Sequence, residues 1–580
     1  MTGRVTLAVK KRYQGFARTP YGRLQRLFVE RMFQGGGEPG SDGLEMGTGA
    51  ILVLLAMPGA VASFLLFPKY GSLFHWIQGI RNFDPFKAAM EDEYFFIVLS
   101  VTVAGAAALW RWDNIFLDRR DYFNLVPLPI SLRSIFTANL CAILLISAVF
   151  TIVVNGASLF LFPATVMGGD TNALIFRFAG GHAAAVLLAG AFSCFAVFAV
   201  SGVLMSMLPA AVFRRVSLIA RFLIAVVLLG LLGSSFAVPR VIENMGRGAL
   251  HRVKFLPPIS FLGVAQSIWG RGEDADTTQM MHAAVGAVAC AVLTAILAYA
   301  VSFRRSFLHI PEARDEGPLP RPRVPWSPFT PALNRILRTP AQRAVYRFAA
   351  RTLTRSEAHL QILLGFLAVG LVASAVFLSS AANPRAILSG RVPPPEFLAV
   401  PFALSYCVVI GTRFAFEMPA NLKANWIFRY SLVGISDEGR AIARWVLLVF
   451  SLAWIAPATF VVTAVYWGPK IATLHTGAVI LTTAALVEAL LARYRKVPFT
   501  CPPPVFKRNA GLVVMAYLFG FYFFTSYLPR LDGWSLLQPW RAICFALLLA
   551  IVIVAIHFYR KQLLAMDKDL IFEEIPLSEF

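Results

Sequence analysis

The sequence predicts an all-α polytopic membrane protein of about twelve transmembrane helices, arranged as two six-helix halves. Three observations carry this. The 580 residues are 58% hydrophobic and only 14% charged, with a mean hydropathy of +0.67, a balance that leaves too little polar surface to cover a soluble domain. Twelve windows are long and apolar enough to serve as spans, given that a hydrocarbon core roughly 30 Å thick needs about 20 apolar residues per helix. The order of segments also repeats: a basic amphipathic stretch and then six spans, twice over.

The first arm, residues 1–45, contains RVTLAVKKRYQGFARTPYGRLQRLFVERMFQ, in which Leu24, Leu27, Phe28 and Phe33 interleave with Arg23, Arg26 and Arg31. That pattern suits a helix lying on the inner membrane surface. The arm lacks the short apolar core of a secretory signal, so the first span is expected to act as its own insertion signal. The first six-helix half, 46–303, holds spans at 46–67, 94–112, 135–162, 178–208, 216–238 and 279–303. Pro58 falls inside the first, where a kink is expected, because neighbouring helices re-satisfy the freed carbonyl.

A cytoplasmic linker, 304–358, follows. Its PEARDEGPLPRPRVPWSPFTP is rich in Pro and charge, and the subsequent NRILRTPAQRAVYRFAARTLTRSEAH is a second basic amphipathic helix. The second half, 359–560, holds spans at 359–381, 397–416, 442–467, 471–492, 511–528 and 541–559, and residues 561–580 form a tail.

The formal charge is +22. In a membrane protein the plain explanation is cationic loops on the cytoplasmic side, so no nucleic-acid partner is expected. Arg119, Arg120, Arg214, Arg215, Arg493, Arg495, Lys496, Lys507 and Arg508 all fall on one side of a twelve-span topology, with the arm and the linker. The positive-inside rule then places both termini in the cytoplasm of a multi-pass plasma (inner) membrane protein. The outer loop before the sixth span fits less well, with basic residues offset by Glu273, Asp274 and Asp276.

The chain carries no phosphate loop of the G-x-x-x-x-G-K-[ST] kind, no H-E-x-x-H, and eight singly placed histidines: His75, His182, His251, His282, His309, His359, His475 and His557. No metal, cofactor or catalytic residue is expected. Cys141, Cys194, Cys290, Cys407 and Cys544 lie in spans and Cys501 in an inner loop, with no pairing pattern. Intramembrane charge is sparse; Glu488, about one turn from the inner end of the tenth span, is the one candidate, and Arg111 and Arg413 end the second span of each half. The lack of mid-membrane carboxylates counts against ion-coupled transport.

The loop after the second span is the most specific segment: DRRDYFNLVPLPISLRSIFTANL, 118–140. The residues alone fit either a short docking helix or a Pro-bounded connection. Leu128-Pro129-Ile130-Ser131 with Arg133, set in this frame, resembles the permease subunits of type-two ATP-binding-cassette exporters. The second half keeps Ile435-Ser436 and Arg440 in LVGISDEGRAIARW, with Gly434 where the family pattern has proline, and PANLKANWIFR precedes it. FLPPISFLGVAQSIWG, 255–270, is similar to the family's outer segment between spans five and six, whereas the second half has only the short stretch 529–540 there.

The resemblance implies a permease with both halves in one chain, working with a separate ATPase subunit, itself a dimer, that hydrolyses the ATP. The ATPase contacts would be Leu128, Pro129, Ile130, Ser131, Arg133, Ile435, Ser436 and Arg440. Nucleotide-driven movement at these loops would rock the halves and open a path outward. The rivals are an ion-coupled secondary transporter using Glu488, a membrane enzyme acting on lipid-linked substrates, and a structural subunit. The cargo is open.

Overall fold

The computed structural model describes residues 19–33, 48–70, 85–112, 119–167, 173–235, 254–270, 275–307, 337, 339–380, 392–420, 436–494, 496–501 and 510–566. Among these residues the regular structure is helical, with no strand, and ten helices are long and apolar enough to cross a membrane. This is an all-α, polytopic, membrane-embedded architecture. The chain divides into two compact units, 46–320 with the N-terminal arm and 321–580 with residues 37–45.

In the first unit the helices run α1 (Pro20–Phe33), α2 (Thr48–Leu65), α3 (Phe67–Tyr70), α4 (Pro85–Trp110), α5 (Arg119–Leu125), α6 (Leu132–Met167), α7 (Ala173–Met207), α8 (Ala210–Ser234), α9 (Pro257–Trp269) and α10 (Ala275–Ser302), the last continuing into a π turn, Phe303–Phe307. Pro58 sits within α2 without ending it. Pro163, one residue past the predicted end of the third span, lies inside α6, which is 36 residues long. At 1.5 Å per residue α6 spans about 54 Å, well beyond the hydrocarbon thickness. Its first turns therefore extend past the span, where Leu24 and Phe28 of α1 bury against Ile135, Ala138 and Ala142. Arg214 and Arg215, read as loop residues, belong to the first turns of α8.

α4 is the central helix of this unit: Phe96, Ile97, Val98 and Ala104 are fully or almost fully buried. Small residues permit the approach, as expected where helices associate by packing in lipid. A Cβ on Gly105 would lie 2.5 Å from Ser193 Oγ, and one on Gly190 would lie 2.8 Å from Ser100 Oγ. Hydroxyls and amides then tie the helices: Ser193 Oγ donates to Val101 O, Ser100 Oγ to Val186 O, and Asn139 Nδ2 to Tyr299 Oη, each at 2.7 or 2.8 Å.

The second unit runs α11 (Pro340–Arg355), α12 (Glu357–Ser380), α13 (Pro395–Ala415), α14 (Ser436–Trp467), α15 (Pro469–Leu490), α16 (Ala510–Tyr522) with a π turn (Phe523–Tyr527), α17 (Leu528–Leu536) and α18 (Pro539–Met566). Thr339 caps α11 in a capping box with Gln342, and Pro340 occupies the first turn. The apolar face of α11 (Val345, Tyr346, Ala349, Leu353) packs on Ile442, Ala443, Val446 and Leu447 of α14.

Each unit thus places its amphipathic helix on the start of its third span. A short helix before the last span is also repeated: α9 packs on α7 in the first unit, and the shorter α17 packs on α15 and α18 in the second. The stretch 529–540, read as a bare loop, is mostly helix. The linker residues 308–336 and the tail 567–580 lie outside the described residues.

Candidate functional site

The loop after the second span of the first unit folds as a short helix, a turn and a capped re-entry. α5 ends at Leu125; Val126 N–H donates to Tyr122 O, and Leu128 N–H to Leu125 O. Pro127 and Pro129 cannot donate, so the backbone leaves the helix there. Ser131 Oγ then accepts from Ser134 N–H at 3.2 Å, an N-cap that starts α6.

Three side chains anchor this knuckle: Leu125 is buried, and Tyr122 and Ile130 pack against the same core cluster as Ile135. The rest faces outward. Phe123 is 54% exposed, Leu128 47%, Leu132 43% and Val126 38%, while Pro129, Ser131 and Arg133 are also exposed. The sequence allowed a docking helix or a plain connection. The segment is therefore a short helix and a Pro-bounded turn together, with its apolar side chains held outward.

Ile435 lies outside the described residues, as do 421–434, and Ser436 is the first residue of α14. Arg440 was expected at a partner contact, but it is 3% exposed and its Nη2 donates to Glu488 Oε2 on α15. Arg444, one turn on, brings Nε to 3.1 Å from Glu488 Oε1. Glu488 is therefore clamped between two guanidinium groups spaced i, i+4 on α14. The arrangement explains how a carboxylate 6% exposed is tolerated near the end of a span, and it gives Glu488 a structural task.

Arg111 and Arg413, at matching ends of the second spans, share a device. The Arg111 guanidinium stacks 4.3 Å from the Trp110 ring; Arg413 lies 4.6 Å from the Tyr494 ring and pairs with Glu417.

Sequence reasoning missed two buried pairs. On α4 and α7, Glu93 Oε2 is 2.8 Å from His182 Nδ1, and neither side chain is exposed. On α17 and α15, Asp532 Oδ2 is 2.5 Å from His475 Nδ1, again fully enclosed. Phe96 and Phe162 wall His182, at ring distances of 5.5 and 5.0 Å, and Phe402 lies against His475. His182 Nε2, His475 Nε2 and Glu93 Oε1 make no hydrogen bond. In the short helix α17, burial pushes the Asp532 carboxyl above its ordinary range, against the opposing pull of its bonds to His475 and Ser535. Both histidines sit in the first third of the fourth span of their unit. The sequence hid this because the partners are 89 and 57 residues apart and each carboxylate falls just outside a predicted span.

Among the described residues, no group of three or more His, Cys, Asp and Glu side chains is placed to hold a metal ion. No family model, curated protein or solved structure matches the chain.

Proposed function

We propose that the chain is the membrane-spanning permease subunit of an ATP-driven exporter, with both six-helix halves fused, working with a separate dimeric ATPase subunit. The observation that carries this is the knuckle formed by Phe123, Val126, Leu128 and Leu132, anchored by Leu125 and Ile130 and set at the inner end of the third span. It offers a rigid apolar contact to a soluble partner at the position where the Leu128-Pro129-Ile130-Ser131 step resembles the exporter permeases. Ser131 and Arg133 add polar rim contacts, and Ile435 and Ser436 mark the matching loop of the second half.

The reading includes a plasma-membrane location, cytoplasmic termini and twelve spans: the ten long apolar helices, with α2 and the α16–π turn segment as the other two. Affinity purification of the full chain from its native membranes tests it. An ATP-binding-cassette ATPase should co-purify and be lost from a Phe123→Asp/Leu128→Asp variant that still folds. Absence of any ATPase, or its retention by that variant, rejects the proposal.

An ion-coupled carrier is the second reading, and the buried Glu93–His182 and His475–Asp532 pairs are the observation in its favour, since ionisable groups enclosed in a membrane protein are costly unless used. Transport that survives ATP depletion but is abolished by Glu93→Gln would select it.

A further inference from the structure

We propose that α11 forms a binding site for the phosphate headgroup of an anionic phospholipid. Arg347, Arg351 and Arg355 follow one another at i, i+4, i+8, so they form a row about 12 Å long on one side of the helix. All three are exposed. They line a groove of about 600 Å³ together with Phe348, Thr352 and Ala420, and among the described residues no acidic side chain lines it.

The groove is built rather than incidental to a charged helix face. Its far wall is the segment after α13, which is pinned in place: Ala420 N–H donates to Phe499 O, Phe499 N–H donates to Phe416 O, and His359 Nε2 lies 3.0 Å from Met418 O. Phe499 holds a left-handed backbone, φ +68°, to make this double contact, and its ring is wedged between Phe348, His359 and Phe416. Such strain in a β-carbon-bearing residue persists only where its surroundings fix it.

Depth selects the ligand. The opposite face of α11 packs on Ile442, Ala443 and Val446, the first turns of a span that runs Gly439–Trp467, and on Leu491, just past a span that ends at Leu490. The arginine row therefore lies level with the ends of two membrane-crossing helices, which is headgroup depth. Guanidinium forks match phosphate oxygens there, the Thr352 hydroxyl adds a donor, and Phe348 offers an apolar wall to the glycerol end. α1 occupies the same place on α6, but its row is interrupted and reads Arg23, Leu27, Arg31.

The test is a titration of the full chain in neutral detergent with dioctanoyl phosphatidylglycerol, read by thermal shift, beside dioctanoyl phosphatidylcholine, inorganic phosphate and polyglutamate. The phosphatidylglycerol response should saturate. It should weaken roughly a hundredfold in Arg347→Gln/Arg351→Gln/Arg355→Gln, about tenfold in Arg351→Gln alone, and not at all in Arg26→Gln. An unchanged response in the triple variant overturns the proposal. So does an equal response to inorganic phosphate, which would assign the groove to free phosphate, or a tighter one to polyglutamate, which would assign it to an acidic protein. No ATPase is present, so the outcome is independent of the exporter reading.

Discussion

His182 Nδ1 on α7 meets Glu93 Oε2 on α4 at 2.8 Å, with both side chains fully enclosed. Removing one partner strands the other in an apolar surround, and a buried donor or acceptor left without its partner costs about 1–3 kcal/mol, more if charged. Glu93→Leu should therefore lower the thermal midpoint of the detergent-purified chain clearly. Glu93→Gln, which retains an acceptor, should lower it less. The double variant Glu93→Leu/His182→Leu should lose less than the sum of the singles, a coupling that a thermodynamic cycle reads directly. Additive losses would show that the pair does not act as a unit.

The clamp on Glu488 makes a sharper distinction between its two arginines. Arg440 is buried and Arg444 is 42% exposed at its side chain. Glu488→Ala leaves Arg440 enclosed without its carboxylate, at a cost of about 3–5 kcal/mol. Arg444→Ala breaks a solvent-screened pair and should cost no more than about 1 kcal/mol. The monodisperse yield of each variant on size exclusion checks the order. If Arg444→Ala proves as damaging as Glu488→Ala, the division of labour is wrong.

Close helix approach gives a prediction with an internal control. A Cβ on Gly181 would lie 2.5 Å from the Trp269 indole and 2.9 Å from Ala265 O, so α9 sits on α7 only because residue 181 has no side chain. Gly181→Ala should cost about 1–3 kcal/mol by overpacking. Gly286, within α10, has nothing within 4 Å of such a Cβ. Gly286→Ala should be neutral, or stabilising by about 1 kcal/mol through helix propensity. Melting curves of the two variants in one detergent test the contrast.

The pattern of what was legible follows from the period and range of the interactions. Apolar windows announce spans because a bilayer demands length, so ten long helices and the amphipathic α1 and α11 were readable from spacing alone. The N-cap of α11 went unread, although Thr339-Pro340-Ala341-Gln342 forms its capping box. Arg440 was not readable either. A basic residue beside an Ile-Ser step looks like a surface contact until the fold brings α15 against α14 and supplies Glu488, 48 residues away. The two histidine–carboxylate pairs escaped for the same reason, and the helix of 529–540 escaped because nine residues opening on Leu528-Pro529 resemble a turn.

Asp532 supplies the pH dependence. Burial in α17 raises its carboxyl above the ordinary range even with the His475 bond in place, so the folded state holds a proton there more tightly than the unfolded chain does. The sign follows from linkage: this residue's contribution to stability is fully present below the unfolded carboxylate range and is lost as pH rises through the folded value. Wild type should therefore gain thermal stability, relative to Asp532→Asn, as pH is lowered from neutral toward the carboxylate range. The asparagine variant cannot titrate at that site, so the melting midpoint of wild type minus that of the variant should rise steadily as pH is lowered. A difference that is flat with pH, or that grows against wild type on acidification, would show that the enclosed carboxylate keeps its charge because the His475 contact outweighs the cost of burying it.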